Sequence, residues 1–586
     1  MAPLSPNTTA RYLLASMRRN PHGEVVTYGD QRLSWSDLGS RTLRLAQALI
    51  RLGVEPGDRV LFMFHNNPGF VELNYAVQVA GAVPVPLNYR FTAAEVGHQL
   101  QNSGARVLVY DGALASAVES AAAEASPAPV LVRRGEGDDP AALDYEELLA
   151  HEEAKDPALP TGEQDVAAII YTGGTTGFPK GVMLSYGAHI DMFANMLSTI
   201  IPHVSQLDLT VEQLTRLGDV APVKIPMMGA LAHLVQSAPA RWLARRPSTT
   251  DHLRIILRRY LSDPRLSRLA TSTPLGYIIP TLPFFHSASY MLLMMGLMTG
   301  KLRFVLPPDG RFDPGRVLKT VEDERPLLMA NVPTGWKKLV EHPDAGRRDV
   351  SSVRICISGA GVCPLPLKRR IFETFPGAIL MDMFGQTEMT PLTAFRVDTG
   401  PESLKERSVG KPIVQVRVLD DAGEPVPPGE VGEIVYRSET MMKGYYADDE
   451  GTRAVMQDGW FHSGDLGYLD PEGELRLVDR KKECINTGGE KVFPMEVEEV
   501  LARHPGVEAA CVIGVADAEW GQKIRGVVQL REGEEVSAEV LILHARKELA
   551  GYKVPREIVF VEELPLSPVG KVLRGKIRDL YGGSEL

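Results

Sequence analysis

The segment Tyr171–Gly181, YTGGTTGFPKG, gathers the residue types that bind phosphate. Gly173, Gly174, Gly177 and Gly181 let a backbone approach a ligand closely, because no Cβ intrudes. Consecutive N–H groups and the hydroxyls of Thr172, Thr175 and Thr176 can cradle phosphate oxygens, and Lys180 can add positive charge beside a polyphosphate. The spacing is not that of the usual P-loop, GxxxxGK followed by Ser or Thr. Here Phe178 and Pro179 separate Gly177 from Lys180. A plain glycine-rich surface loop is the alternative, but a loop leaving an apolar strand with three hydroxyls and a lysine fits phosphate better.

The element that launches this loop is the apolar run Val166–Thr172, and a helix is expected from about Ser185. Upstream, Asp37–Leu52 carries apolar residues at helical spacing, and Val60–Phe64, Val83–Leu87 and Ala105–Tyr110 read as short buried strands. With the Thr92–Ser103 helix between two of them, the alternation points to a mostly parallel sheet. Residues 111–160 read as a peripheral connection. Arg354–Ile357 and Ala378–Met383 are two further strands, each leading into a loop with candidate chemistry. Residues 410–437 switch to the alternation of a small antiparallel barrel or sheet, and 467–479 hold a hairpin. Beyond Arg480 a compact unit is expected: a helix at Pro494–Arg503, strands at Ala509–Val515 and Lys523–Leu530, a helix at Ala538–Leu549, and a strand at Ile558–Val561.

The fold class expected is therefore α/β. A large N-terminal domain (1–479) of mixed α/β sheets plus a small antiparallel barrel-like subdomain precedes a small α+β C-terminal domain (480–586). At 586 residues and 44% hydrophobic composition the chain is too long for one core. A net charge of −11 argues against a general nucleic-acid binder, which needs a basic footprint. Four cysteines without a CxxC pair fit a reducing compartment, and no secretory signal is evident, so a cytoplasmic protein is expected. The stretch Thr271–Gly300 lacks Lys, Arg, Asp and Glu, but Pro274, Pro280, Pro283 and His286 interrupt it. It reads as a buried strand and loop followed by a buried helix rather than a membrane span.

The loop Tyr171–Gly181 resembles the signature of the adenylate-forming superfamily, whose members include AMP-forming acyl- and aryl-CoA synthetases, beetle luciferases and nonribosomal-peptide adenylation domains. Further motifs match in chain order: PFFH at Pro283–His286, FGQTE at Phe384–Glu388, GWFHSGDLGYLD at Gly459–Asp470, DRKKECINTGGEKVFPMEVEEVL at Asp479–Leu501, and SPVGKVLRG at Ser567–Gly575. The likeness covers nearly the whole chain. It implies ATP-dependent activation of a carboxylic acid to acyl-AMP and pyrophosphate, then transfer of the acyl group to coenzyme A.

The same resemblance distributes roles. Gly359, Ala360 and Gly361 would form one wall of the adenine slot, and Met383, Phe384 and Gly385 would also contact the nucleotide. Phe384 suits stacking on adenine, and Thr387 can hydrogen-bond the α-phosphate. Glu388 is a hard oxygen ligand of the kind Mg²⁺ prefers, with Thr176 beside it. Asp465 would take the ribose hydroxyls and Arg480 the ribose or phosphate side. Lys571, in a Pro/Gly loop near the C-terminus, would bridge carboxylate and α-phosphate while Mg²⁺ and Lys180 offset charge on the departing pyrophosphate. The small domain would pivot at Lys482 between half-reactions, bringing Gly488 and Gly489 to the pantetheine arm. Some relatives carry Lys where this chain has Asn486. His286 would sit between acyl pocket and nucleotide.

For the acid, the helix Ser289–Met298 and Ala360–Cys363 are the expected apolar walls, with Met291, Met294, Met295 and Met298 as adaptable side chains. That favours medium-to-long fatty, branched or cyclic acids. Residues about 203–270 lengthen the usual spacing between Gly181 and His286. In the segment DHLRIILRRYL, Leu253, Ile256, Leu257, Tyr260 and Leu261 share one face, with Arg254 and Arg258 on another. Weak docking to an anionic membrane surface or an acidic carrier protein, and simple solvation, stay open for it. Rival readings are a fatty-acyl-AMP ligase loading an acyl-carrier protein, luciferase-like oxidation, and a noncatalytic nucleotide sensor. The full set Glu388, Asp465, Arg480 and Lys571 disfavours the last.

Overall fold

The computed structural model describes residues 5–137, 139–172, 179–206, 237, 239, 242, 246–265, 275–278, 282–307, 312–517, 519–567 and 571–583. The chain divides into two compact units, Met1–Leu404 with Ser438–Ala454, and Lys405–Arg437 with Val455–Leu586. The boundary expected at Asp479–Lys482 falls inside the second unit.

Among the described residues, the first unit holds two large sheets. One is wholly parallel, in the order Val83–Pro86, Arg59–Met63, Val107–Asp111, Val130–Arg134, Leu143–Asp144. Its last two strands come from the region read as a peripheral connection. That reading is corrected: 111–160 extends the sheet to its edge, where Val130 and Leu143 remain exposed and the apolar pattern is correspondingly weak. The helix Trp35–Arg51 starts at a capping box in which Ser34 and Asp37 exchange side-chain and backbone hydrogen bonds, and Ala93–Ser103 starts likewise at Thr92 and Glu95.

The second sheet runs Gln31–Ser34, Glu24–Tyr28, Leu302–Leu306, Leu275–Ile278, Leu328–Asn331, Ile355–Ser358, Ile379–Gly385, Leu392–Asp398, parallel in its middle and antiparallel at both ends. Val317, Leu318, Trp336, Leu339 and Ile371 bury the flanking helices against it. A separate antiparallel hairpin pairs Val166–Thr172 with Lys180–Ser185, so it holds the two ends of the glycine-threonine loop together.

The second unit starts with five antiparallel strands in the order Gln415–Leu419, Gly432–Arg437, Trp460–Leu469, Leu475–Arg480, Ser408–Pro412. Its C-terminal lobe orders Glu490–Val492, Ile485–Thr487, Gly521–Leu530 and Val507–Asp517, with Glu557–Val561 parallel to Gly521–Leu530. Helices Pro494–Ala502 and Ala538–Glu548 cover this sheet through Val497, Leu501, Leu541 and Ala545.

In the helix Pro247–Ser262, Ile255 and Ile256 are exposed while Leu261 is buried. The partly exposed Arg258 guanidinium reaches Asp191 at 2.5 Å and Glu163 at 2.7 Å. No helix among the described residues is long and apolar enough to cross a membrane.

Candidate active site

Most of the anticipated residues lie at strand ends. Ile355–Ser358 runs into Gly359–Gly361, and Ile379–Gly385 carries Met383, Phe384 and Gly385 at its own end, the edge where open α/β sheets bind ligands. Ala360 takes a left-handed backbone with φ 63°, a conformation that costs a residue with a Cβ and here turns the loop sharply. Gly385 is dictated by packing, since a Cβ there would lie 1.9 Å from the Pro391 carbonyl oxygen.

The TE pair that follows is tightly held. Thr387 is buried and its Oγ1 lies 2.9 Å from Ser287 Oγ, which ties the FGQTE motif to the PFFH motif. His286 caps the helix Ser287–Thr299: its Nδ1 accepts the Ala288 N–H at 3.3 Å, the tautomer that leaves the proton on Nε2. Glu388 accepts the Tyr445 hydroxyl at Oε1, 2.8 Å away, and its carbonyl accepts the Met442 N–H at 2.7 Å. The carboxylate beside Tyr445 pushes the phenol's pKa well up, burial being the larger cause. Lys180 pairs with Asp448 at 2.7 Å and sits over the Tyr445 ring, 5.0 Å from its centroid. Gly173, Gly174, Thr175, Thr176 and Gly177 lie outside the described residues, and Thr172 closes the hairpin opposite Lys180.

Beneath the strand bearing Phe384 lies a charge cluster that the sequence reading missed. Lys368, 2% exposed, meets Asp382 at 2.6 Å and stands 4.0 Å from Asp398, which Arg396 holds at 2.8 Å. Burial raises the pKa values of Asp382 and Asp398, while Lys368 and Arg396 oppose that rise. Ser287, Tyr445 and Asp448 were also missed. The only signals available were their closeness to PFFH and the GYY turn, because their partners are distant in sequence.

In the second unit Asp465 and Arg480 are cross-strand neighbours, and Arg480 Nε reaches Asp465 Oδ1 at 2.5 Å. Lys571 lies in a turn closed by its own N–H on Ser567 Oγ and by the Ser567 N–H on its carbonyl. Desolvation of the ammonium lowers its pKa, Arg480 lowers it further, and Asp465 opposes both. The residue remains open to solvent, which screens these charges. Lys482 lies in the short turn Lys481–Glu483, and its pKa is also lowered, by desolvation and then by Arg480.

Gly488 and Gly489 form the left-handed turn of a hairpin, with φ 60° and 86°. They are not equivalent. A Cβ on Gly488 would meet the Trp520 ring at 2.7 Å, whereas nothing lies within 4 Å of one on Gly489. Gly488 is therefore dictated by Trp520, whereas the turn is open at Gly489. The methionine expectation is corrected similarly: Met291, Met294 and Met298 are at most 3% exposed and fill the core. Of the four methionines on that helix, only Met295 is partly accessible.

The hairpin flanking the glycine-threonine segment, the Phe384–Glu388 strand end and the Asp465–Arg480 pair are where the described residues carry the motifs of an adenylate-forming enzyme. The AMP-binding enzyme family model matches residues 13–239 and 267–446, and the AMP-binding enzyme C-terminal domain matches 496–571. The chain belongs to this family, within the adenylate-forming superfamily, and activates a carboxylic acid with ATP as its acyl-adenylate. It is 34% identical over 567 residues to a feruloyl-CoA synthase of an Amycolatopsis species, covering 96% of this chain and 97% of that one. It is 28% identical to a long-chain-fatty-acid–CoA ligase of Bacillus subtilis (strain 168), covering 98% and 94%. The fold matches that of ATP-bound MatB from Rhodopseudomonas palustris with a TM-score of 0.77 at 24% identity, over 99% of both chains.

Proposed function

We propose that the chain is an AMP-forming acyl-CoA synthetase acting on an apolar carboxylic acid, with Lys571 as the catalytic group of the first half-reaction. The observation that carries this reading is the match of both AMP-binding family models along the chain, the second ending at Lys571, together with the Asp465–Arg480 pair at 2.5 Å. An ammonium in that company can neutralise a carboxylate as its oxygen attacks the α-phosphorus and pyrophosphate departs. Coenzyme A as acceptor is supported by the full-length likeness to curated CoA ligases, and the open turn at Gly489 suits a pantetheine arm.

Mg²⁺ fits the donor set. Glu388 is a hard carboxylate fixed at Oε1 by Tyr445, and it would hold the ion together with Thr176. Bound there, the ion would spread the charge of the phosphate chain. In our reading the C-terminal lobe turns about Lys482 between the half-reactions, withdrawing Lys571 before the thiol enters. A cytoplasmic setting belongs to the proposal and agrees with four free cysteines.

The acid is proposed as medium-to-long fatty, branched or cyclic. A second reading, an arylpropenoic acid, is favoured by the feruloyl-CoA synthase likeness. A panel of both classes with ATP and Mg²⁺, following pyrophosphate, AMP and thioester separately, tests the proposal. Acid-dependent pyrophosphate with CoA thioester is the expected outcome. Adenylate without thioester would instead indicate delivery to a carrier protein.

A further inference from the structure

The segment Ser438–Ala454 lies alongside the phosphate-loop hairpin in the same unit. Lys443 N–H donates to the Met183 carbonyl, Met183 N–H to Gly444, and Tyr446 N–H to Gly181, at 2.9, 3.0 and 2.7 Å. This docking carries Asp448 to Lys180, whose Nζ stands 2.7 Å from Asp448 Oδ2. Asp448 is itself anchored: its Oδ1 accepts the Gly451 N–H at 2.7 Å, and its carbonyl accepts the Thr452 hydroxyl at 2.8 Å. Gly451 is also matched to the pair. A Cβ there would lie 2.2 Å from Asp448 Oδ2 and 2.3 Å from Lys180 Nζ.

We infer that Asp448 is a positioning residue that holds Lys180 over Tyr445 and competes with the pyrophosphate end of the nucleotide for that ammonium. It would thereby set the affinity for ATP and ease the release of pyrophosphate. The inference rests on the adenylation reading above, in which Lys180 meets the pyrophosphate. An anion drawing on Lys180 must share the ammonium with a carboxylate already in contact. Part of its binding energy is spent loosening that pair, and the same pair re-forms as pyrophosphate leaves.

Asp448→Asn separates charge from shape, because the amide oxygen can still accept the Gly451 N–H. The probe is magnesium pyrophosphate, titrated into the full chain by calorimetry, with KM for ATP measured alongside. Asp448→Asn is expected to bind pyrophosphate roughly two- to five-fold more tightly, the span of a partly exposed ion pair. Most of that gain is expected to vanish in a Lys180→Met background, and Asp448→Glu is expected to return towards the wild type. Unchanged or weaker binding by Asp448→Asn, or an equal gain without Lys180, overturns the inference while leaving adenylation intact. A wild type that releases no pyrophosphate from ATP with any acid overturns both.

Discussion

The proposed function concentrates the chemistry of the first half-reaction in one ammonium, that of Lys571. Lys571→Ala is expected to slow adenylate formation by about a hundred- to a thousand-fold, the range for removing one group that meets developing charge. Thioester formation from supplied acyl-AMP is expected to be largely spared, and an equal loss in both steps would contradict the division of labour. The pKa direction adds a pH test. The charged form exists below the folded pKa and is lost as pH rises through it. Because desolvation and Arg480 lower that pKa from the ordinary 10.5, the alkaline fall of adenylation is expected below that value. The fall should be absent from the thiol step.

At the scale of elements, the strand Ile379–Gly385 positions Phe384 through charges buried beneath it. Lys368→Met would leave Asp382 without its nearest cation, at a cost of about 3–5 kcal/mol. Denaturant unfolding of the two chains measures this, and a cost within error of zero would mean the cluster is not needed to seat the strand. The same strand marks where sequence reasoning succeeds and where it stops. Phe384 to Glu388 could be read because a short motif carries its own chemistry, and Asp37–Leu52 because its apolar spacing is local. The helix Pro68–Val79 went unread because it is buried on all sides, so it has no polar face to give a period. Lys368, Asp382 and Asp398 became a site only when the sheet brought them together. The methionines of Ser287–Thr299 misled for the opposite reason, since an uncharged helix looks the same whether it lines a pocket or fills a core.

At the scale of the molecule, the proposed turning of the C-terminal lobe about Lys482 has a consequence within the second unit. The lobe is joined to the five-stranded sheet by Arg407 with Glu499 at 2.5 Å and by Lys491 with Asp421 at 2.8 Å. A turn at Lys482 must break such pairs. Arg407→Gln is therefore expected to shift the ratio of the two half-reaction rates by roughly two- to five-fold, with little change in stability. Single-turnover measurement of each step checks this, and an unchanged ratio would mean that the lobe does not part from the sheet there.

The central claim is that a carboxylate oxygen attacks the α-phosphorus of ATP. Supplying the acid with heavy oxygen in its carboxylate and analysing the products by mass spectrometry tests it most directly. One labelled oxygen should appear in AMP, carried there when the thiol displaces it from the acyl carbon. Label in inorganic phosphate, with ADP as the nucleotide product, would contradict the account.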